Sequence, residues 1–256
     1  MLRIHQLLVF DDNYVHILVD DATGQAAVVD PGQAEPVLEA AHKQGWKLTK
    51  ALLTHHHPDH VEGVLALKAQ FGLEVIGAAK DKARLPGLDR GVAEGDEVKL
   101  GNATARVIEV PGHTAHHLAY CFDDERALFP GDTLFGMGCG RLFEGTAKQM
   151  WDSLARLKSL PGETQIWCAH EYTLANGCFA LSIEPGNPDL KSRVETVAAM
   201  SLRKLSTVPS RLDLEIATNP FLRADRADMA QAMGMKGAKA WEVFAEIRRR
   251  KDVFKG

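Results

Sequence analysis

The chain has 256 residues, with 30 lysines and arginines against 34 aspartates and glutamates, a formal charge of −4. That balance offers no broad basic footprint for nucleic acid or an anionic membrane. Apolar residues at 45% and charged residues at 25% exclude a disordered or collagen-like chain.

In chain order, the first elements read as strands. Leu2 to Phe10 and Tyr14 to Val19 are apolar runs parted by the turn cluster Asp11-Asp12-Asn13. Ala26 to Val29 forms a third run, closed by Asp30-Pro31-Gly32. Ala34 to Gln44 reads as a helix with Gly45 as its cap. Ala51 to Thr54 returns to strand, and one helix is predicted from Pro58 to about Phe71, before Gly72. Val75 to Ala78, Val98 to Leu100, Ala103 to Val110, Leu118 to Phe122 and Ala127 to Phe129 continue the strand series. Thr146 to Leu160 has helical spacing, and Gln165 to Cys168 is a last strand. Beyond His170 the character changes. Leu174–Ile183, Leu190–Leu205, Ala227–Gly234 and Ala238–Arg250 favour helix, punctuated by turns at 184–188 and 218–220. The expected organisation is a strand–helix body over 1–169 and a helical part over 170–256.

Two further counts bear on compartment and chemistry. The four cysteines, Cys121, Cys139, Cys168 and Cys178, form no CxxC pair, so neither a disulfide framework nor a cysteine zinc site is expected. The opening MLRIHQLLVFDDNY lacks the long apolar run of an export signal. No stretch approaches the roughly 18 apolar residues of a membrane span. A reduced, cytoplasmic setting is expected, with no membrane and no nucleic-acid partner.

Histidine is the informative residue type, with 11 copies. Thr54-His55-His56-His57-Pro58-Asp59-His60 follows an apolar strand. Residues two apart in an extended segment face the same way, so His55 and His57 can grip one ion together. Pro58 suits a first helical turn, after which Asp59 and His60 aim elsewhere. One segment can thus offer two ligands to each of two ions, and imidazole and carboxylate suit zinc, iron or manganese. Three later strands each end on a potential ligand: His113 after Val110-Pro111-Gly112, Asp132 after Phe129-Pro130-Gly131, and His170 after Cys168-Ala169. Of the other histidines, His56 reads as a spacer. His116 and His117 are candidates to support His113, and His5, His16 and His42 read as structural or exposed.

These motifs resemble the metallo-β-lactamase superfamily and, within it, glyoxalase II, the hydroxyacylglutathione hydrolases. Three segments carry the closer likeness: Gly138-Cys139-Gly140-Arg141-Leu142-Phe143-Glu144-Gly145-Thr146, Ala169-His170-Glu171-Tyr172-Thr173 with Asn176, and Thr218-Asn219-Pro220-Phe221-Leu222-Arg223. A fourth is the tail Arg248-Arg249-Arg250-Lys251-Asp252 with Phe254. The resemblance implies an α/β fold, an αββα sandwich with a small C-terminal α-helical domain. It implies that His55, His57 and His113 hold one divalent ion and that Asp59, His60 and His170 hold a second. Asp132 would bridge them, with zinc expected and iron or manganese as alternatives. It further implies that Arg141, Phe143, Tyr172, Asn176, Arg248 and Lys251 contact glutathione. Arg141 stands where many relatives have Lys, Phe143 where a Tyr is common, and Ala169 where Gly is usual.

The implied activity is hydrolysis of S-D-lactoylglutathione to D-lactate and glutathione, the second step of methylglyoxal detoxification, by a monomer. Asp59 and Asp132 are the expected catalytic carboxylates, around a water whose pKa a metal lowers toward ~7. A thiol of pKa near ~8.5 leaves without a strong general acid. Alternatives are a persulfide dioxygenase or another hydrolase of the same fold, and a non-catalytic metal-binding protein.

Overall fold

The computed structural model describes residues 1–255. The chain divides into two compact units: residues 1–109 with 116–131, and residues 110–115 with 132–256.

The first unit is built on two sheets. One has six strands in sequential order: β1 (Leu2–Val9), β2 (Asn13–Asp20), β3 (Gln25–Val29), β4 (Lys47–Leu52), β5 (Glu74–Ala78) and β6 (Arg90–Val92). β1, β2 and β3 run antiparallel, while β3 to β6 are parallel. The change follows from the connections. Two- to five-residue turns allow hairpins, whereas α1 (Glu35–Gln44) returns the chain for a parallel pairing. The helix ends as expected, with Gly45 left-handed at φ 69°. The second sheet includes the antiparallel meander β7 (Glu97–Leu100), β8 (Ala103–Glu109), β9 (Leu118–Phe122) and β10 (Ala127–Phe129). The strand β9 is buried along its whole length, and its Tyr120 hydroxyl donates to the Leu53 carbonyl at 3.0 Å, tying the meander to the end of β4.

The predicted helix 58–71 is two helices, α2 (Pro58–Val61) and α3 (Val64–Phe71). Gly63 donates its N–H to the Pro31 carbonyl at 2.9 Å rather than up its own helix. The competing bond interrupts the ladder and fastens the segment to the loop after β3.

In the second unit α4 (Ala147–Lys158) starts at Thr146, whose hydroxyl and the Gln149 side chain cap each other's backbone N–H. Before it lies a short hairpin, β11 (Leu134–Phe135) and β12 (Gly138–Cys139). After it come the pair β13 (Gln165–Ile166) and β14 (Ser210–Arg211), with α5 (Thr173–Ile183), α6 (Pro188–Leu202), α7 (Leu212–Thr218), α8 (Ala227–Ala232) and α9 (Ala240–Val253). Met137 packs with Ala180, Leu190, Val194 and Val197. A second apolar cluster stacks Phe179 on Phe221 and sets Phe221 edge-on to Phe244. The hairpin and α7 were not expected from sequence; the other helices lie within a few residues of their predicted bounds. Among the described residues, no helix is long and apolar enough to cross a membrane.

His16 in β2 is buried, edge-on to Phe129, with its Nε2 3.2 Å from Gln6 Oε1. Burial pushes its imidazole down to about 3. An unfolded histidine titrates near ~6.5. Between those values the unfolded chain carries a proton that the folded chain rejects, so stability falls as pH drops through that window. His16→Asn should therefore flatten the pH dependence of urea unfolding between pH 6 and 4, by up to about 1.4 kcal/mol per pH unit. Equal slopes in the two proteins would contradict this reading of His16.

Candidate metal centre

In the first unit the expected ligands sit at the carboxyl end of β4. Because β3 and β4 are parallel, with Val29 beside Leu52, the residues that follow them emerge side by side. Asp30 follows β3 at φ 49°, and Thr54 and His55 follow β4. Asp30 receives the Thr54 N–H on Oδ1 at 2.8 Å and the Thr54 hydroxyl on Oδ2 at 2.6 Å.

These bonds fix proton positions. The Thr54 hydroxyl spends its one hydrogen on Asp30, so it can only accept from His55 Nδ1, 3.0 Å away. A neutral His55 therefore presents a lone pair at Nε2, which lies 3.0 Å from His57 Nδ1. His60 Nδ1 lies 3.0 Å from Asp30 Oδ2, which turns its Nε2 toward the Asp59 side. That atom is 3.5 Å from Asp59 Oδ2, an oxygen that also accepts the Asn13 amide at 2.8 Å. His117 lies flat against His55, with centroids 4.6 Å apart, and its Nδ1 donates to the Leu118 carbonyl. His116 is partly exposed. His56 is pinned between the buried Asp81 at 3.1 Å and Arg84 at 3.1 Å, which holds the backbone between His55 and His57.

In the second unit Asp132 stands between two histidines. Its Oδ2 is 3.3 Å from His113 Nε2 and its Oδ1 is 3.4 Å from His170 Nε2. His113 donates from Nδ1 to the Arg141 carbonyl at 2.9 Å, so its Nε2 also carries a lone pair. Aromatic rings brace both histidines: Phe143 meets His113 edge-on at 5.2 Å, and Tyr172 stacks on His170 at 4.7 Å.

The donor sets of both units fit a divalent metal. Ligand atoms about 2.1 Å from a tetrahedral ion stand roughly 3.4 Å apart. The histidine–histidine and histidine–carboxylate spacings here run from 3.0 to 3.5 Å. His55 and His113 each have Nδ1 held by a hydrogen bond and Nε2 set beside another expected ligand atom. Asp30 and Thr54 were not singled out from sequence, because Asp30-Pro31-Gly32 reads there as an ordinary turn. The signal was present: an aspartate at the end of a strand whose parallel neighbour ends on the histidine motif. Asp30→Asn should lower metal affinity about 10–100-fold, as measured by metal retained against a competing chelator. Retention equal to wild type would show that Asp30 does not orient the ligands.

The six residues expected to contact a thiol carrier all lie in the second unit, in three different settings. Arg141 and Phe143 are exposed, Phe143 at 60%. Tyr172 is partly exposed. Lys251 donates to the Ala175 carbonyl and sits over the Phe179 and Phe254 rings. Burial, then the charges of Arg248 and Arg141, hold its ammonium below the usual lysine range. Asn176 and Arg248, by contrast, are buried. The Asn176 amide donates to the Gly136 carbonyl, and Arg248 bonds the Cys139 carbonyl and Asp252.

Residues 12–170 match the family model of the metallo-beta-lactamase superfamily, and residues 171–254 match that of the hydroxyacylglutathione hydrolase C-terminus. A hydroxyacylglutathione hydrolase of Methylococcus capsulatus is 55% identical over 256 residues, the full length of both chains. The chain belongs to the hydroxyacylglutathione hydrolase family. Another member, from Rhodospirillum rubrum, is 54% identical over 99% of each chain. Among solved structures, ETHE1 from Myxococcus xanthus superposes with a TM-score of 0.73 at 25% identity, covering 99% of this chain and 92% of that one. The fold is thus the metallo-β-lactamase fold with a C-terminal helical domain, as expected from sequence. Its His/Asp groups are of a kind able to bind metal.

Proposed function

We propose that this member of the family hydrolyses S-D-lactoylglutathione and other 2-hydroxyacyl-glutathiones to glutathione and the free hydroxy acid, as a cytoplasmic monomer. The observation that carries the reading is Asp132, one carboxylate with an oxygen turned to each of two histidines. In a chain of this family, that arrangement suits a ligand shared by two ions. His55, His57 and His113 are assigned to one ion and Asp59, His60 and His170 to the other, with zinc proposed for both and iron or manganese as alternatives. The metals, when bound, supply an activated water at neutral pH and stabilise charge on the carbonyl oxygen.

The chain's own residues do the rest. Asp59 and Asp132 are the proposed catalytic carboxylates, acceptor-only groups each able to take a hydrogen bond from an attacking water. Water gives up one proton to solvent and adds through its oxygen to the carbonyl carbon; the C–S bond breaks with its electron pair on sulfur, glutathione departs as a thiolate without a strong acid, and the new carboxylic acid loses the second proton to solvent. Residues 1–169 are assigned mainly to catalysis and 170–256 mainly to holding the thiol carrier, with His170 proposed for the metals and Arg141 and Phe143 for the carrier. Glutathione brings two carboxylates, and Arg141 and Lys251 are the cations proposed to receive them. Phe143 and Tyr172 are proposed as apolar walls, while Asn176 and Arg248 bond the Gly136 and Cys139 carbonyls.

A substrate panel tests this reading. S-D-Lactoylglutathione should be turned over with kcat/KM at least about tenfold above coenzyme A or simple alkyl thioesters, since one lost charge contact is worth about that factor. Equal rates on all thioesters would remove the glutathione assignment.

A further inference from the structure

The segment between Asp132 and Arg141 connects two groups of the second unit. It begins at the carboxylate that faces His113 and His170, and it ends at the carbonyl that receives the His113 Nδ1 proton. It makes few regular bonds of its own, with two-residue strands only. Its position is set by polar side chains of the helical part. Asn176 of α5 donates to Gly136 O at 3.0 Å, and Glu215 of α7 accepts the Met137 N–H at 2.8 Å. Asn219 donates to Phe135 O at 3.2 Å and Gly138 O at 3.0 Å, and Arg248 of α9 donates to Cys139 O at 3.0 Å.

Arg248 is the last of these clamps along the segment, gripping it at Cys139, two residues before Arg141. Arg248 is 5% exposed, and its guanidinium is held on its other edge by Asp252 at 2.8–2.9 Å, with Phe221 beneath it. One residue on from Cys139, Gly140 lies hard against the site. A Cβ there would stand 2.1 Å from the Asp132 carbonyl oxygen and 2.9 Å from His113 Nδ1. The backbone has no slack at this point, so a shift at Cys139 must reach His113 through Gly140 and Arg141.

We infer that Arg248 is a positioning residue for the metal site: through Cys139 O and the 139–141 backbone it fixes the Arg141 carbonyl that orients His113. This deepens the proposed function and rests on the reading of His113 as a ligand. It gives α9 a task distinct from charge attraction of the substrate. A guanidinium fits because it can donate to a carbonyl and a carboxylate at once, in a fixed plane.

The test compares zinc retention, which needs no substrate, with turnover. Wild type, Arg248→Met, Arg248→Lys, Gly140→Ala and Lys251→Met are loaded with zinc and dialysed against a competing chelator, and the retained zinc is measured by elemental analysis. The visible spectrum of the cobalt-substituted forms reports ligand geometry. Arg248→Met should lose zinc affinity about tenfold, the lower end of what removal of a ligand's supporting group costs. Its cobalt spectrum should shift and its kcat should fall. Arg248→Lys should recover part of the loss. Gly140→Ala should reproduce the zinc loss with Arg248 in place. Lys251→Met should keep wild-type zinc retention and raise KM alone.

Wild-type zinc retention and an unshifted cobalt spectrum in Arg248→Met, with only KM raised, would overturn the inference. If Arg248→Met does not fold by circular dichroism, Arg248→Lys and Gly140→Ala decide, and wild-type retention in both would overturn it equally. A wild-type protein that cleaves no glutathione thioester, yet loses zinc on substitution of Arg248, would sink the functional reading and leave the positioning role standing.

Discussion

Asp132→Ala is expected to cost at least about 10³-fold in kcat on S-D-lactoylglutathione and to reduce the metal held per chain. The reason is the shared position of its carboxylate, 3.3 Å from one histidine nitrogen and 3.4 Å from another. In the proposed two-ion site, removing a ligand of one ion would spare the other, whereas removing Asp132 would weaken both. Asp132→Asn separates charge from shape. It keeps one acceptor oxygen, so it should retain more metal than alanine while still losing most turnover. The check is elemental analysis of each variant beside steady-state kinetics at saturating metal. An Asp132→Ala protein with wild-type turnover would remove Asp132 from the mechanism.

The second large effect is on stability and lies in the helical part. Glu215 is fully buried and takes bonds from Arg193, the Ser210 hydroxyl, the Met137 N–H and the Asn219 amide. Arg193 is itself 7% exposed, and its other bonded partner is the Thr218 hydroxyl. Truncating one member of a buried ion pair leaves an uncompensated charge, which costs about 3–5 kcal/mol. Against a typical domain stability of about 5–15 kcal/mol that is a large fraction. Glu215→Ala should therefore shift the urea midpoint down strongly. Glu215→Gln, which preserves shape and some acceptor capacity, should shift it less. A loss below about 1 kcal/mol in Glu215→Ala would mean that water or a rearranged Arg193 replaces the pair.

Much of the site was legible because its chemistry is written contiguously. His55, His57, Asp59 and His60 fall in one heptapeptide after a strand, and two-residue periodicity alone pairs the first two. His113, Asp132 and His170 were legible as strand-end residues, and the structure brings those three together within one unit. What the sequence hid depends on pairing between distant segments. Asp30 matters because β3 and β4 are parallel neighbours, and a turn tripeptide says nothing of its neighbour. The interruption between α2 and α3 comes from Pro31, some thirty positions away, capturing the Gly63 N–H; local helical spacing cannot show it. The strands β6, β11 and β12 escaped because two or three residues carry no period. Arg248 and Asn176 read from sequence as polar groups facing a ligand. The structure buries both against backbone carbonyls of the hairpin, a setting that composition does not reveal.

The most direct test of the whole account is a metal titration of hydrolysis. Purified chain is stripped with a chelator, zinc is returned in measured equivalents, and release of glutathione from S-D-lactoylglutathione is followed at each step. The stripped protein should show no turnover, and activity should rise to a plateau at two equivalents per chain. Full activity after stripping, or no hydrolysis of any glutathione thioester at saturating zinc, iron or manganese, would contradict it.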